Sequence, residues 1–534
     1  MLDPSQELPD WVSRPKLEQL LTPHSKTATD AAADFLIVVH ETIQSELIKR
    51  FGETFVNQAS IAYVLTVPAV WSDAAKQATV DAANKAGLRE CSYMISEPEA
   101  AAVYALSTMK ATGLTVGDVY IVLDAGGGTV DLITYQVDSL QPLRFKEVVP
   151  GSGHLCGSAV LNMRFELLVR NRLGAERFQQ LQQLKPKTWA VAHDFFENYV
   201  KRNFMPSNDV NAMDEDEFMV PFPGVAEDDA AGIDSGFLLL TSAEVAAIFR
   251  PVLEQIITLV EHQRVEAAKA NAPAKGVIMV GGFCQSPYLY SCLKQRFADG
   301  VELPPQYLET PQKAITFPSD LPPSYDQVVL YSRDATGRRP ALNLPLAILQ
   351  PENAWTAVVR GAVLRGLENK DIVSSRKARR HYGTVMTQHW DPLVHEERDK
   401  YWDDLTETWR ANNQFVWFVK KGETMESGKA VLKDVCSDNE IRGIARTSKL
   451  YFCDADIAPT VYRAGPSQPV KRLCTVKIGN DQIPIEHYRT KRNSSGTVYY
   501  TLRGQLGFHV ESGRLKFDVR VHDVVYGEVF AKFE

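Results

Sequence analysis

Apolar side chains recur at three- and four-residue spacings through residues 28–50, at Phe35, Leu36, Val39, Ile43, Leu47 and Ile48, which predicts a helix. The run Ile61–Val67 reads as a strand stopped by Pro68, and Ser72 or Asp73 can cap the Ala-rich helix that follows and ends at Gly87. A short strand, Ser92–Ile95, leads into a second helix with Pro98 near its first turn. Strand, helix, strand, helix predicts an α/β unit with a parallel sheet. Val119–Tyr135 reads as strand, glycine turn and strand, and Phe145–Val149 as a third strand. The segment Pro150–Gly157 reads as a glycine loop running directly into a helix, and residues 160–204 as helical. Thr241 and Ser242 with Glu244 open a helix to about Ala270, and Gly276–Val280 is a buried strand ending in Gly281 and Gly282. Residues 303–351 are proline-rich and aperiodic, a long loop or insertion, before an apolar helix from Trp355 to Leu367.

Beyond Asp371 the pattern changes to β-branched and aromatic runs: Gln414–Val419, Lys449–Cys453, Arg472–Ile478, Gly496–Leu502 and Leu515–Val521. Broken by turn signals such as Asn493–Gly496, they predict a β-sandwich-like module. The division expected is therefore an α/β unit at 1–368, a basic linker at 369–382 and a β-rich unit at 383–534.

With 534 residues the chain is long enough for two or more domains, and 45% hydrophobic with 23% charged residues is a soluble globular composition. No run of about eighteen apolar residues and no leader at Met1–Ser5 stand in the sequence, so an intracellular, non-membrane protein is expected. Seven cysteines, at 91, 156, 284, 292, 436, 453 and 474, are scattered without a close pair, which suits a reducing, cytoplasmic setting. A net charge of −8 argues against a general nucleic-acid binder. Residues 370–534 carry 27 Lys+Arg against 22 Asp+Glu, a balance of +5 that leaves −13 for residues 1–369. The basic segment Ser375–His381 reads first as a solvated linker and second as a nuclear-localisation patch. The acidic runs at 214–217 and 227–229 read as solvated surface.

The candidate chemistry centres on the glycine turn. Gly126, Gly127 and Gly128 leave backbone N–H groups free to close around phosphate oxygens, Asp124 can hold a hydrated Mg²⁺, and Thr129 and Asp131 follow on the next strand. An ordinary hairpin is the competing reading. Pro150–Gly157 is a second candidate phosphate loop, for which a plain strand-to-helix connection is the simpler reading. His154 lacks neighbouring ligand-type residues and is a weak metal candidate, whereas Gly281 and Gly282 end a buried strand where a flat ligand could approach the backbone.

Six ordered segments together resemble the seventy-kilodalton heat-shock proteins of the actin-like ATPase superfamily, in particular the divergent branch without a helical lid. They are TVPAVWSDAAKQATVDAANKAGL (66–88), SEPEAAAVYAL (96–106), VLDAGGGTVDL (122–132), GSGHLCGSAVLN (151–162), VIMVGGFCQSPYL (277–289) and AVVRGAVLRGL (357–367). The resemblance implies an actin-like (ribonuclease H-like) nucleotide fold binding ATP and Mg²⁺, followed by the β-sandwich-like unit. It implies catalytic roles for Glu97, Asp124 and Thr129, with Asp124 near Mg²⁺ through water, and phosphate contacts at Gly126–Gly128, Asp131 and Gly157. Gly281 and Gly282 would line the adenosine site, and Glu197, Lys201 and Arg202 would flank adenine, with the acid one position away from its usual spacing. Pro68 matches a proline that relays nucleotide state, with Lys76 in place of its usual arginine partner.

The family's first strand, first glycine hairpin and catalytic lysine match nothing before residue 60, and neither Lys16 nor Lys26 stands in an alignable context. An N-terminally incomplete fold is therefore expected, with the strand at 61–67 left with open edges and ATP hydrolysis impaired or absent. The linker lacks the family's acidic character, and no lid is expected after the β region. The function expected is an ATP-binding chaperone with unfolded peptides and co-chaperones as partners. The alternatives are a non-enzymatic nucleotide-binding or interaction scaffold and, more weakly, a sugar-kinase-like enzyme.

Overall fold

The structure, a computed structural model, describes residue 2 and residues 14–530 apart from 70, 89–90, 110–112, 207–216, 299–344, 368–371, 443–445, 464, 466–468, 479–482 and 512–513. Most of the expected 303–351 loop and of the 214–217 acidic run lies outside the described residues.

Helices α1 (Arg14–Leu21), α2 (Ala28–Phe51) and α3 (Glu53–Gln58) precede β1 (Tyr63–Val67), α4 (Asp73–Lys85), β2 (Cys91–Ser96) and α5 (Glu97–Met109). Thr27 and Asp30 cap α2 reciprocally, and the Ser72 hydroxyl accepts from the Ala75 N–H to start α4. β1 and β2 pair in parallel, as the alternation predicts, and form a sheet of their own. Of the two edges of β1 expected to be open, one is paired with β2 and the other has no partner among the described residues.

β3 (Val119–Ala125), β4 (Val130–Leu140) and β5 (Leu143–His154) form an antiparallel meander. The glycine-rich stretch predicted as a loop from Pro150 is strand as far as His154, because it keeps its ladder with β4. Residues 160–204, read as one helical stretch, are α6 (Ala159–Leu173), α7 (Ala175–Leu184) and α8 (Pro186–Phe195), a π turn at Phe196–Val200, and the short α9 (Lys201–Asn203). Gly174, at φ +80°, and Pro186 break the first two junctions. A small sheet of β6 (Glu217–Pro221), β7 (Ile233–Asp234) and β8 (Phe237–Thr241) leads into α10 (Ser242–Lys269), which Thr241 and Glu244 cap as predicted. β9 (Gly276–Val280), α11 (Pro287–Leu293), β10 (Ala347–Leu349), α12 (Ala357–Leu367) and β11 (Val373–Lys377) complete this part. β10, expected to be loop, is a strand at one edge of the central sheet.

That sheet runs β10-β9-β3-β4-β5-β11, and beyond β11 comes β15 (Thr424–Glu426). Its strands are buried on both faces, so they read as continuous apolar runs and only parity separates the layers. Ile121, Leu123, Ala125, Val277 and Met279 pack toward α6, α10 and α11. Val122, Ile133, Tyr135, Ile278 and Val280 pack toward α5 and α12. α12 crosses α5 at Gly361, where a Cβ would collide with the Ala100 carbonyl.

The basic segment expected as a solvated linker is instead largely buried. Ser375, Arg376, Ala378 and His381 are each less than 10% exposed, because β11 is sandwiched between β5 and β15 and hydrogen-bonded to both. The remaining strands are β12 (His381–His389), β13 (Lys400–Asp403), β14 (Thr408–Val419), β16 (Val431–Asn439), β17 (Arg446–Cys453), β18 (Val470–Ile478), β19 (Tyr488–Arg492), β20 (Val498–Glu511), β21 (Arg514–Val521) and β22 (Val524–Phe530). They form two sheets, β13-β14-β12-β17-β18 and β16-β20-β21-β22 with β19 on β20. Tyr382, Phe418 and Leu450 of the first meet Leu506, Phe508 and Phe517 of the second in a shared core, the arrangement of a β-sandwich.

Candidate functional site

The candidate site follows from strand parity. Asp124 and Asp131 are directly paired across β3 and β4, and both share the face of Val122 and Ile133, toward α5. Glu97 is the first residue of α5, so three carboxylates converge beside the glycine turn. Burial pushes the Asp124 carboxyl up to about 8, with the charges of Glu97 and Asp131 adding to it. Burial and then the Asp131 charge push Glu97 up to about 7. Both Asp124 and Glu97 are therefore disfavoured as anions, and a cation beside them would favour their ionised forms.

The turn itself has two sides. The carbonyls of Gly126, Gly127 and Gly128 accept hydrogen bonds from the N–H groups of Ser158, Ala159 and Gly157, at 3.1, 2.8 and 3.2 Å. Since the C=O of one residue and the N–H of the next point in opposite directions within their shared peptide plane, fastening the Gly126 and Gly127 carbonyls turns the Gly127 and Gly128 N–H groups away from that contact. Among the described residues neither the Gly127 nor the Gly128 N–H donates to a backbone carbonyl, and a Cβ on either would meet nothing within 4 Å. Gly157 acts from behind. Its N–H is already bound to the hairpin, and a Cβ there would collide with Gly127. Gly281, at φ +90°, packs so closely that a Cβ would lie 2.5 Å from both the Ala125 carbonyl and Asp124 Oδ1. Gly282 faces open space.

Glu197 lies in the π turn, paired with Lys201, and accepts from Asn162. Lys201 Nζ also donates to Asn162 Oδ1 at 3.2 Å and to the Ser158 carbonyl at 3.4 Å, which ties this helix to the loop fastening the hairpin. A π turn takes up one extra residue, so it re-phases the acid that sits one position from its expected spacing. Arg202 is exposed, and Thr129, half-buried, closes the turn by accepting from the Gly126 N–H at 3.0 Å.

Two neighbours were not singled out as site residues from the sequence, Asn162 and Ser158, although both stand in the 151–162 segment. His154, beside the turn, has a buried Nδ1 without a hydrogen-bond partner. Lys76, with its side chain 14% exposed, stands between two groups of charge. Desolvation lowers its pKa, Asp73 and Asp131 oppose that shift, and Arg379 and Arg380 add to it.

These features fit a phosphate bound through a cation: outward N–H donors, space where side chains would be, and acids that repel one another. Among the described residues no three His, Cys, Asp or Glu side chains converge closely enough to hold a metal alone. A cation at Asp124 would therefore be completed by water and phosphate oxygens.

The chain matches the model of the Hsp70 protein family over residues 27–139, and over residues 376–529 a domain of unknown function, DUF8568. The first match takes in α2, upstream of the earliest segment in the resemblance. The chain is 27% identical over 329 residues to the human and mouse proteins named Heat shock 70 kDa protein 12A, covering 48% of each chain. It is 26% identical over 262 residues to the mitochondrial-type heat shock protein 70 of Encephalitozoon hellem, covering 48% of this chain and 39% of that one. The chain thus spans about half or less of the length of these relatives.

Proposed function

The chain is a divergent member of the Hsp70 family, and from that premise we propose that it binds Mg-ATP at the β3–β4 turn as a chaperone-like protein with impaired or absent hydrolysis. The observation that carries this reading is the glycine turn whose Gly127 and Gly128 N–H groups have no backbone acceptor among the described residues, next to the mutually interacting Glu97, Asp124 and Asp131 carboxylates. Asp124 would hold the hydrated Mg²⁺, Gly126–Gly128 and Thr129 the phosphates, and Asp131 a bridging water. When bound, Mg²⁺ supplies charge neutralisation for the phosphates and for the acid cluster. Glu97, with a proton affinity near neutrality, is suited to orient an attacking water and take its proton. Gly281 and Gly282 would face adenosine, with Glu197, Lys201 and Arg202 along adenine and Gly157 fixing the turn from behind. Hydrolysis would be impaired if the phosphate donors of the described residues, which lie on one side, are the full set, since phosphoryl transfer depends on positioning from several sides. The β-sandwich would hold extended peptide by strand addition.

Thermal unfolding with and without Mg-ATP tests the site: ligand at about a hundred times its Kd adds about 2.7 kcal/mol. No shift at saturating nucleotide would remove the reading. Single-turnover hydrolysis then compares the chain with Glu97→Gln. Slow cleavage abolished by the substitution supports residual ATPase activity, and cleavage in neither favours the non-enzymatic scaffold.

A further inference from the structure

The β13–β14 hairpin carries a cluster that the nucleotide site does not use. Lys400 and Trp402 on β13 share a face with Trp409 on β14, and Trp390 lies beside them, its backbone N–H donating to the Trp409 carbonyl at 3.0 Å. The Lys400 ammonium sits 5.0 Å from the Trp390 ring centre and 4.9 Å from that of Trp409. Trp402 stands edge-on to Trp409 at 5.2 Å. Trp402 and Trp409 are 44% and 50% exposed, and Leu393 and Val394 on the adjoining turn are 94% and 71% exposed.

An ammonium is ordinarily best hydrated in water, yet this one lies between two indole faces. Indole faces attract any alkylammonium through the ring quadrupole, so the pocket is a cation cage that the chain fills itself. The acid beside it has the complementary sign: Glu397 Oε1 is 2.9 Å from Lys400 Nζ, while the neighbouring Glu396 is paired with Arg398 and Arg463. Lys400 also lies on an edge strand, and the outer edge of β13 has no partner among the described residues. A segment adding along that edge would present alternate side chains to the face that carries the indoles.

We propose that Trp390 and Trp409 form a cage for the lysine ammonium of an extended partner polypeptide added along β13, and that Lys400 holds this cage closed until the partner's lysine displaces it. The inference rests on the peptide-binding part of the function proposed above. It adds a place and a side-chain class to it.

The test measures binding of a short strand-forming peptide with one central lysine, and of the same peptide with that lysine acetylated, to the full chain and to Lys400→Ala. The lysine peptide is expected to bind about tenfold more tightly than the acetylated one, and more tightly still to Lys400→Ala. Trp409→Phe, which keeps a ring in place, should lose most of that preference. Equal affinity for the two peptides overturns the cage and leaves peptide binding by the β-sandwich standing. If neither peptide binds, tetramethylammonium titrated into Lys400→Ala at constant ionic strength separates the two failures. Saturable quenching of tryptophan fluorescence would then overturn the polypeptide occupant, and no quenching would overturn the cage as well.

Discussion

Asp124 and Glu97 are held where their charges are disfavoured, at about 8 and about 7, against ordinary carboxylate values near 4. A carboxyl whose folded pKa is raised stabilises the fold in its protonated form. That contribution is full below about pH 4 and is lost as pH rises through about 7 to 8. The ligand-free chain should therefore melt at lower temperature at about pH 9 than at about pH 6, and Asp124→Asn should remove much of that slope. A Mg-nucleotide complex favours the ionised acids, so it should shrink the fall and bind more tightly as pH rises across the same window. Identical slopes for the parent chain and Asp124→Asn in differential scanning calorimetry would contradict this. Two glycines of the same turn should then behave oppositely. Gly127→Ala places a methyl group in open space, so stability should change by less than about 1 kcal/mol while Mg-ATP affinity falls. Gly157→Ala drives a methyl group into the hairpin backbone and should cost about 1–3 kcal/mol in urea unfolding.

At the scale of elements, α10 contains Pro251, which has no N–H for the Ala247 carbonyl one turn earlier. The buried Arg164 of α6 takes its place: Nη2 donates to that carbonyl at 3.2 Å and Nε to the Ile248 carbonyl at 2.9 Å. Arg164→Met should destabilise the chain by about 1–3 kcal/mol, and Pro251→Ala should recover part of the loss by restoring the helical bond. Additive effects in a double-mutant cycle would show that the two do not act together. No pattern in the sequence pairs residues so far apart, and this marks the boundary of what it makes legible. The α/β order, the parallel β1–β2 pair, the glycine turn and the caps of α4 and α10 rest on local chemistry and could be read directly, whereas the Thr27–Asp30 cap of α2 was not anticipated. The strand character of Pro150–His154 comes from its ladder with β4, and that of Ala347–Leu349 from β9, so both read as loop. The acid cluster was legible residue by residue, because Asp124 and Asp131 flank one turn. Its proton affinities were not, because they arise from Glu97 arriving on a separate helix.

At the scale of the whole molecule, the same distinction explains the basic segment. Four of five residues in Arg376–Arg380 are cationic, so the sequence reads as hydrated chain. The structure supplies each charge with a tertiary partner or a sheet position instead. Arg376 pairs with the buried Glu99 at 2.7 Å, and Lys377 N–H donates to Glu147 Oε2 at 3.3 Å. Arg379 donates to the Ala69 carbonyl, and Arg380 lies 4.0 Å from Asp73 and 2.8 Å from Asp454. The Ala378 N–H and carbonyl are both bonded, to Glu423 at 2.9 Å and Gly422 at 2.7 Å. Through Lys76, which feels both Asp131 and these arginines, the segment stands one side chain away from the acid cluster. Trypsin cleaves after Lys and Arg only where the chain can open locally, so this most basic stretch should resist it while exposed sites such as Lys429 and Arg492 are cut. Glu99→Gln removes one buried counter-charge of Arg376 and leaves the charge of Glu147 nearby, so the loss stays within the about 3–5 kcal/mol of a broken buried pair. Cleavage within 376–380 should then rise by at least about tenfold, read by mass spectrometry of early fragments. Rapid cutting there in the unaltered chain would mean that β11 is not held between β5 and β15 in solution.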